Sequence, residues 1–287
     1  MPCTCHTGRT LIAKELPPET ESAIEQFFRQ FRGALNPVRE DIVDAIRSGE
    51  IDPSTTSGVQ VAVEEYIGNY SSEIQAVFRD GIENGAEAGR AIAGRRFNLD
   101  IDFDVVPQRT LEELNDWAIE ASNEVVNRFG DEITSFVRSA HEEGLSIDDL
   151  AETLNDDLFE GRLQDWESRR VARTETVSSS NAGSHTAHED ADGVVAERWV
   201  ASLDGRQRDS HDAADGQTVA VGNTFLVGGA EARYPGDPHL PPGERIHCRC
   251  IAVPVYRDEL TDEEFATIES GGRLTAAAPT SATRAVG

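Results

Sequence analysis

Trp199-Val200-Ala201-Ser202-Leu203-Asp204 opens a stretch that continues through Arg208, His211, Gly216 and Tyr234-Pro235-Gly236-Asp237-Pro238 to His247-Cys248-Arg249-Cys250. Trp, His, Cys and Gly/Pro turns are crowded into about a fifth of the chain. The apolar runs here are short and separated by turn residues. Strands are expected at about 197–203, 217–221, 224–227 and 246–256. Asp192-Gly193 supplies the turn before the first of them.

Upstream, helical periodicity dominates. Pro17-Pro18 precedes a pattern through Ile24, Phe27, Phe28 and Phe31, which Asn36-Pro37 is expected to break before a short helix to about Ser48. Val59, Val63, Tyr66, Ile67, Tyr70, Ile74, Val77, Phe78 and Ile82 recur at three and four and predict one long helix. Gly85-x-x-x-Gly89 permits either a close helix approach or fraying, and fraying is the expectation. Asn98 to Pro107 reads as an extended acidic link. Leu111, Leu114, Trp117, Ala121, Val125, Phe129, Ile133, Phe136, Val137 and Ala140 then mark a one-sided helix closed by Gly144. A short helix carries Leu150, Leu154 and Leu158, and another runs from about Arg162 through Trp166, Val171, Ala172 and Val177. Residues 178–184, rich in Ser, Asn and Gly, are expected to be poor helix. The predicted fold class is α+β: an elongated N-terminal helical region, then a small C-terminal α+β domain with a short antiparallel sheet. The domain reading is 1–17 flexible arm, 18–143 helical domain, 144–256 small domain, and 257–287 acidic helix and disordered tail.

The charge is extreme, with 26 basic against 53 acidic residues and a net charge of −27. Of the basic residues only Lys14 is lysine; the rest are arginine. An acid-rich, lysine-poor surface suits a high-salt cytoplasm, where the Debye length shrinks to about 3 Å and carboxylate repulsion is screened. The pattern predicts a halophilic, archaeal setting, and it disfavours duplex DNA binding over the whole surface. No apolar leader or membrane-length run is present, so the expectation is a soluble chain made in the cytoplasm, with no membrane contact. Two Cys-x-Cys pairs do not make a disulfide framework in a chain of this size.

Cys248 and Cys250, two apart in an expected strand, would point to one face and could share a metal ion. They are poorly placed for a disulfide with each other. His211 is the best third ligand, with His239, His247, Asp237 or Asp212 as a fourth, and zinc is the natural metal for this sulfur–nitrogen set. The competing reading is two small buried hydrophobes and a hydrogen-bonding turn histidine. Cys3-x-Cys5-His6 repeats the pattern near a free end, where incidental thiols on an arm are the plainer reading. His211 with Asp212 or Asp215 and Arg208 could also form a hydrolytic centre, but no second histidine at fixed spacing, nucleophile elbow or phosphate loop accompanies them. Asp204, Arg208 and His211 bracing one another in a polar loop is the simpler account. Arg173 and Glu175 lie on the helix leading into the small domain. They are either a clamp on that domain or a solvated charge cluster.

Taken in order, Ala172-Arg173-Thr174-Glu175, Asn181, Gly183, Trp199, Asp204, Arg208, His211, Gly216, Phe225, Tyr234-Pro235-Gly236-Asp237-Pro238 and Cys248-Arg249-Cys250 resemble the C-terminal domain of the phage Mu F-like minor head, or head morphogenesis, family. The resemblance covers about residues 145–256, with 144–154 resembling the helix that opens the domain. His247 departs from it, since the family usually has asparagine there. The resemblance implies a virion protein rather than an enzyme, in the capsid interior or at the portal vertex. It would assist procapsid assembly and DNA packaging or ejection. Portal protein and major capsid protein would be partners, and packaged DNA a further contact. Trp199, Asp204, Arg208, Arg173 and Glu175 would then belong to a docking module. The alternative is a metal-dependent hydrolase or nuclease, or a toxin-like effector, using His211 and nearby acids, since domains of this family are also found fused to toxin modules.

Overall fold

A computed structural model describes residues 16–102, 105–202 and 207–275. The fold is α+β, and the chain divides into two compact units. A helical unit comprises Pro18–Ala86 and Pro107–Ser179. A sheet unit comprises Glu87–Val106 and the described residues from Ser180 onward. The sequence boundaries are drawn differently, because residues 144–179 pack with the helices rather than with the sheet. Among the described residues no helix is long and apolar enough to cross a membrane.

The helical unit is built from α1 (Pro18–Ser48), α2 (Thr56–Asn69), the first half of α3 (Ser71–Phe97), α4 (Gln108–Glu142), α5 (Ile147–Thr153), a π-helical run (Leu154–Glu167) and the start of α6 (Ser168–Asp190). Its centre is aromatic. Phe78 meets Phe27 and Phe31 edge-on at 5.2 Å each, and Phe31 stacks on Phe129 at 6.1 Å. The periodicity of α4 translates directly into burial of Leu114, Trp117, Ala121, Val125, Phe129, Ile133, Val137 and Ala140. Gly144 beyond its end has φ +84°, the left-handed conformation that closes many helices.

Three local expectations are overturned here. Pro37 does not break α1, which passes through it. An interior proline costs about 3 kcal/mol, and burial of Leu35, Val38, Ile42 and Ile46 around it offsets that cost. The predicted long helix instead divides at Tyr70, whose hydroxyl donates to Asp41 Oδ2. The expected helix break after Leu158 is absent. Leu154, Leu158, Phe159 and Leu163 are buried at spacings of four and five, which suits the wider π-helical turn.

In the sheet unit β1 (Val194–Val200) is the central strand. It pairs antiparallel with β2 (Thr218–Ala220) on one side and β5 (Ile251–Tyr256) on the other, in the order β2-β1-β5. Strands β3 (Phe225–Val227) and β4 (Ala230–Ala232) form a separate hairpin. Two very short helices, α7 (Asp209–Ala214) and α8 (Pro242–Arg245), lie between strands. The short antiparallel sheet is as expected; β4 was not foreseen. Alternation along β1 sets Glu197 and Trp199 on one face and Ala196 on the other. Ala196 packs with Val255, Leu260 and Ile268. Ile268 lies on α9 (Asp262–Glu269), the expected acidic helix. The tail then returns to the sheet, where Leu274 exchanges both backbone hydrogen bonds with Thr218. Residues 257–275 are therefore part of this unit, and the rest of the expected tail, like the amino-terminal arm, lies outside the described residues.

Residues 178–184 are helical, not a break, because α6 continues to Asp190. The small side chains that lower helix propensity are what let α6 lie against α3. Gly85 and Gly89 do not fray α3 either. A Cβ on Gly85 would stand 2.1 Å from Ser179 Oγ in the helical unit, and one on Gly89 only 1.8 Å from Ser180 O in the sheet unit. Ser184 Oγ donates to Gly89 O at 3.0 Å, and buried Arg90 pairs with Asp190 at 2.8 Å. Gly89→Ala is expected to cost about 1–3 kcal/mol, because the clash is with backbone. Gly33→Ala on α1, with nothing within 4 Å, should be neutral or stabilise by up to about 1 kcal/mol. Thermal unfolding of the two variants beside the parent checks this contrast.

Candidate metal centre and the buried histidine cluster

Trp199 is fully buried and anchors a cluster with Val219, Phe225, Leu240, Ala252, Cys248 and Cys250. His211, on α7, presents its ring edge-on to Trp199 at 5.8 Å, and Phe225 packs on the other side of Trp199 at 5.4 Å. His211 Nδ1 lies 3.2 Å from Cys250 Sγ and 3.8 Å from Cys248 Sγ. Among the described residues these three are the group whose donor atoms converge as metal ligands do, all within 4.8 Å of one another.

The two cysteines are not in a strand. They lie in the irregular lead-in to β5, and the bend that aims both sulfurs inward begins at His247. His247 has φ +60°, a conformation in which Asn, Asp and His are enriched over other side chains. The histidine here is thus a residue type suited to the turn it occupies. Cys248 N–H donates to Arg245 O, and the buried Asn181 side chain on α6 donates to Cys250 O at 3.0 Å. Arg208 donates to Ile246 O and so braces the same lead-in.

The fourth-ligand candidates are elsewhere. His247 and His239 are exposed, and neither belongs to the converging group. Buried Asp237 instead holds its own turn, accepting from the backbone N–H groups of Arg233 (2.8 Å) and His239 (3.0 Å) and lying 2.8 Å from His239 Nδ1. Burial works against the Asp237 carboxylate, but those donors hold its pKa below the usual value. Asp212 is exposed and accepts from Gln207, while Asp215 accepts from Ala201 N–H. Both acids thus have partners other than His211. Asp204, Cys3, Cys5 and His6 lie outside the described residues. Arg173 and Glu175 belong to the helical unit, where buried Glu175 accepts from Trp117 Nε1 at 3.1 Å.

Glu244 on α8 was not singled out by its sequence context. Its Oε2 lies 3.1 Å from His211 Nε2 and accepts from Ser210 Oγ at 2.7 Å. The His211 contact has ion-pair distance but not the alignment of a directed hydrogen bond. Electrostatics divide the thiols. The hydrogen bond to Cys250, with burial, pushes Cys248 well above the ordinary thiol range. The hydrogen bond from Cys248 and the adjacent His211 draw Cys250 down to about 5, against the effect of burial. Burial disfavours charge on His211, but Cys250 outweighs it and raises the imidazole pKa. The arrangement can hold a thiolate beside an imidazolium, or release that proton to solvent and bind a soft metal ion in its place.

A second polar centre lies on the same face of β1. Fully buried Glu197 meets His185 Nδ1 with one oxygen and His188 Nδ1 with the other, each at 2.7 Å. His185-x-x-His188 on one face of α6 was a readable signal, but the expectation of poor helix nearby concealed it.

Residues 131–253 match the family model described as Phage Mu protein F like protein. That match supports the head morphogenesis resemblance over this segment. The chain is 24% identical to YqbB of Bacillus subtilis (strain 168) over 196 residues, which is 67% of this chain and 63% of that protein. It is 27% identical over 116 residues to NAD(+)--arginine ADP-ribosyltransferase EFV of Enterococcus faecalis (strain ATCC 700802 / V583), covering 39% of this chain and 23% of that protein. An uncharacterized protein of Haemophilus influenzae (strain ATCC 51907 / DSM 11121 / KW20 / Rd) is 28% identical over 137 residues, covering 48% of this chain and 27% of its own length. The chain thus spans less than two thirds of each of these relatives. No solved structure matches it.

The Glu197 cluster gives the sheet unit a pH signature. Burial opposes charge on His185, but Glu197 raises its pKa above 6.5; burial opposes the Glu197 carboxylate too, but His185 and His188 lower its pKa below 4.5. The histidine contribution is complete below 6.5 and lost as pH rises through the raised value. The carboxylate contribution is present above 4.5 and lost as pH falls through the lowered one. The urea midpoint should therefore decline on either side of that window. Glu189 and Arg233, which also act on His185, remain in Glu197→Gln. That variant should lose about 3–5 kcal/mol and show a flatter decline above pH 6.5.

Proposed function

We propose that the chain is a minor capsid, head morphogenesis protein that sits at the portal vertex or inner capsid face of a tailed virus. It assists procapsid assembly and DNA packaging or ejection. Portal and major capsid proteins are its partners in this reading, with packaged DNA a further contact. The observation that carries the reading is the family match over residues 131–253, which takes in both the end of the helical unit and most of the sheet unit. The chemistry supports attachment over reaction. His211 and Cys250 are 2% and 1% exposed, which leaves no open approach for a substrate to the most reactive pair in the sheet unit. Similarity to the ADP-ribosyltransferase covers 23% of that enzyme, an extent that suits a shared attachment module rather than a shared activity.

The arginine-only, strongly acidic composition supports a haloarchaeal virus or provirus as the source. A net charge of −27 destabilises the compact state by self-repulsion unless salt screens it.

Mass spectrometry of purified particles and procapsids should find this chain at low copy number relative to the major capsid protein. Its absence from both would overturn the assignment. The thermal midpoint should rise steeply between about 0.1 M and about 3 M KCl, as the screening length falls from about 10 Å to the range of a few ångströms. A flat salt profile would remove the halophilic part of the reading.

A further inference from the structure

We propose that His211 Nδ1, Cys248 Sγ and Cys250 Sγ bind one zinc ion, with Glu244 orienting the histidine from its outer nitrogen. Tetrahedral zinc with Zn–N of about 2.0 Å and Zn–S of about 2.3 Å sets a nitrogen and a sulfur ligand about 3.5 Å apart. The two measured separations, 3.2 and 3.8 Å, bracket that value. One imidazole nitrogen carries either one proton or one lone pair, so a single hydrogen bond satisfies it. Both sulfurs of the lead-in face that one nitrogen, and a shared ion would use all three donors. All three residues are buried, so they do not form an incidental surface cluster.

The outer side of the ring faces a carboxylate. Metal-bound histidines commonly give their second nitrogen to a carboxylate, which fixes the tautomer and strengthens the ligand. Glu244 Oε2 stands 3.1 Å from His211 Nε2 and is itself held by Ser210 Oγ. Gly228 leaves room for it: a Cβ there would stand 2.4 Å from Glu244 Oε1, at a residue whose φ is already +57°. The ion joins α7 to the lead-in of β5, segments almost forty residues apart in sequence. Among the described residues no fourth histidine, cysteine or carboxylate joins the group. The inference does not rest on the assembly reading. Zinc content and presence in particles fail separately.

The test uses the full chain purified without chelator. Metal analysis should find about one zinc per chain, and cobalt substitution should give thiolate-to-cobalt charge-transfer absorption. Cys248→Ser, Cys250→Ser and His211→Gln should each fall below about 0.2 equivalents. Glu244→Gln should keep the ion with affinity lowered about 10- to 100-fold. The double change Cys3→Ser with Cys5→Ser controls for the other thiol pair and should keep the full equivalent. Zinc lost in that double variant but retained without Cys248 and Cys250 would overturn the proposal. So would folded parent protein below about 0.2 equivalents after zinc addition. Where a ligand variant fails to fold, X-ray absorption on the parent decides: two sulfur neighbours with imidazole are expected, and an oxygen-only shell refutes the site.

Discussion

The sheet unit depends on one imidazole wedged between an indole and two sulfurs. Three of its five strands are only three residues long, and strands this short bury little apolar surface by themselves. Trp199 supplies the largest buried side chain in the unit, and His211 closes its edge. The contact joins β1, α7 and the lead-in to β5, adding side-chain packing to the hydrogen bonds that already link them. Asn181 and Arg208 then fix the two carbonyls flanking the cysteine pair, so the sulfurs are held in place from the backbone side as well.

A small core that buries polar groups must satisfy them, because an unpaired buried charge costs several kcal/mol. This unit does so twice on one face of β1. Trp199 serves the His211 cluster, while Glu197, two residues earlier, is closed by His185 and His188. The two centres share a strand but not an environment. One is dominated by sulfur, with the Cys250 thiol drawn down beside His211. The other is a carboxylate clamped between two imidazoles. Removing one member of such a group would strand the others in the core, so each residue is needed for the arrangement.

The helical unit follows a different logic. Its stability comes from aromatic interdigitation around Phe78 and from long amphipathic faces. Glycine and serine determine how closely helices approach. Gly85 gives up side-chain contacts to admit Ser179, and the resulting backbone proximity is what allows a Ser-rich segment to stay helical despite poor intrinsic propensity.

Much was legible from residue order alone. The three-to-four spacing of α4, the turn residues around β1 to β3, the acid-rich composition and the ordered Trp, His and Cys positions all report on neighbours within one or two turns of chain. What they missed involved distant partners. Pro37 stays in a helix because burial of its flanking residues outweighs the lost hydrogen bond, and residues 178–184 stay helical because α3 offers them a close surface. Cys248 and Cys250 leave the strand because His247 turns the backbone. Glu244 gains meaning only beside His211, and His185 and His188 only beside Glu197. Local pattern determined which residues are helix-forming, strand-forming or chemically costly. Only the tertiary structure decided which of them meet, because side chains tens of residues apart are brought within a few ångströms by packing that no local period encodes.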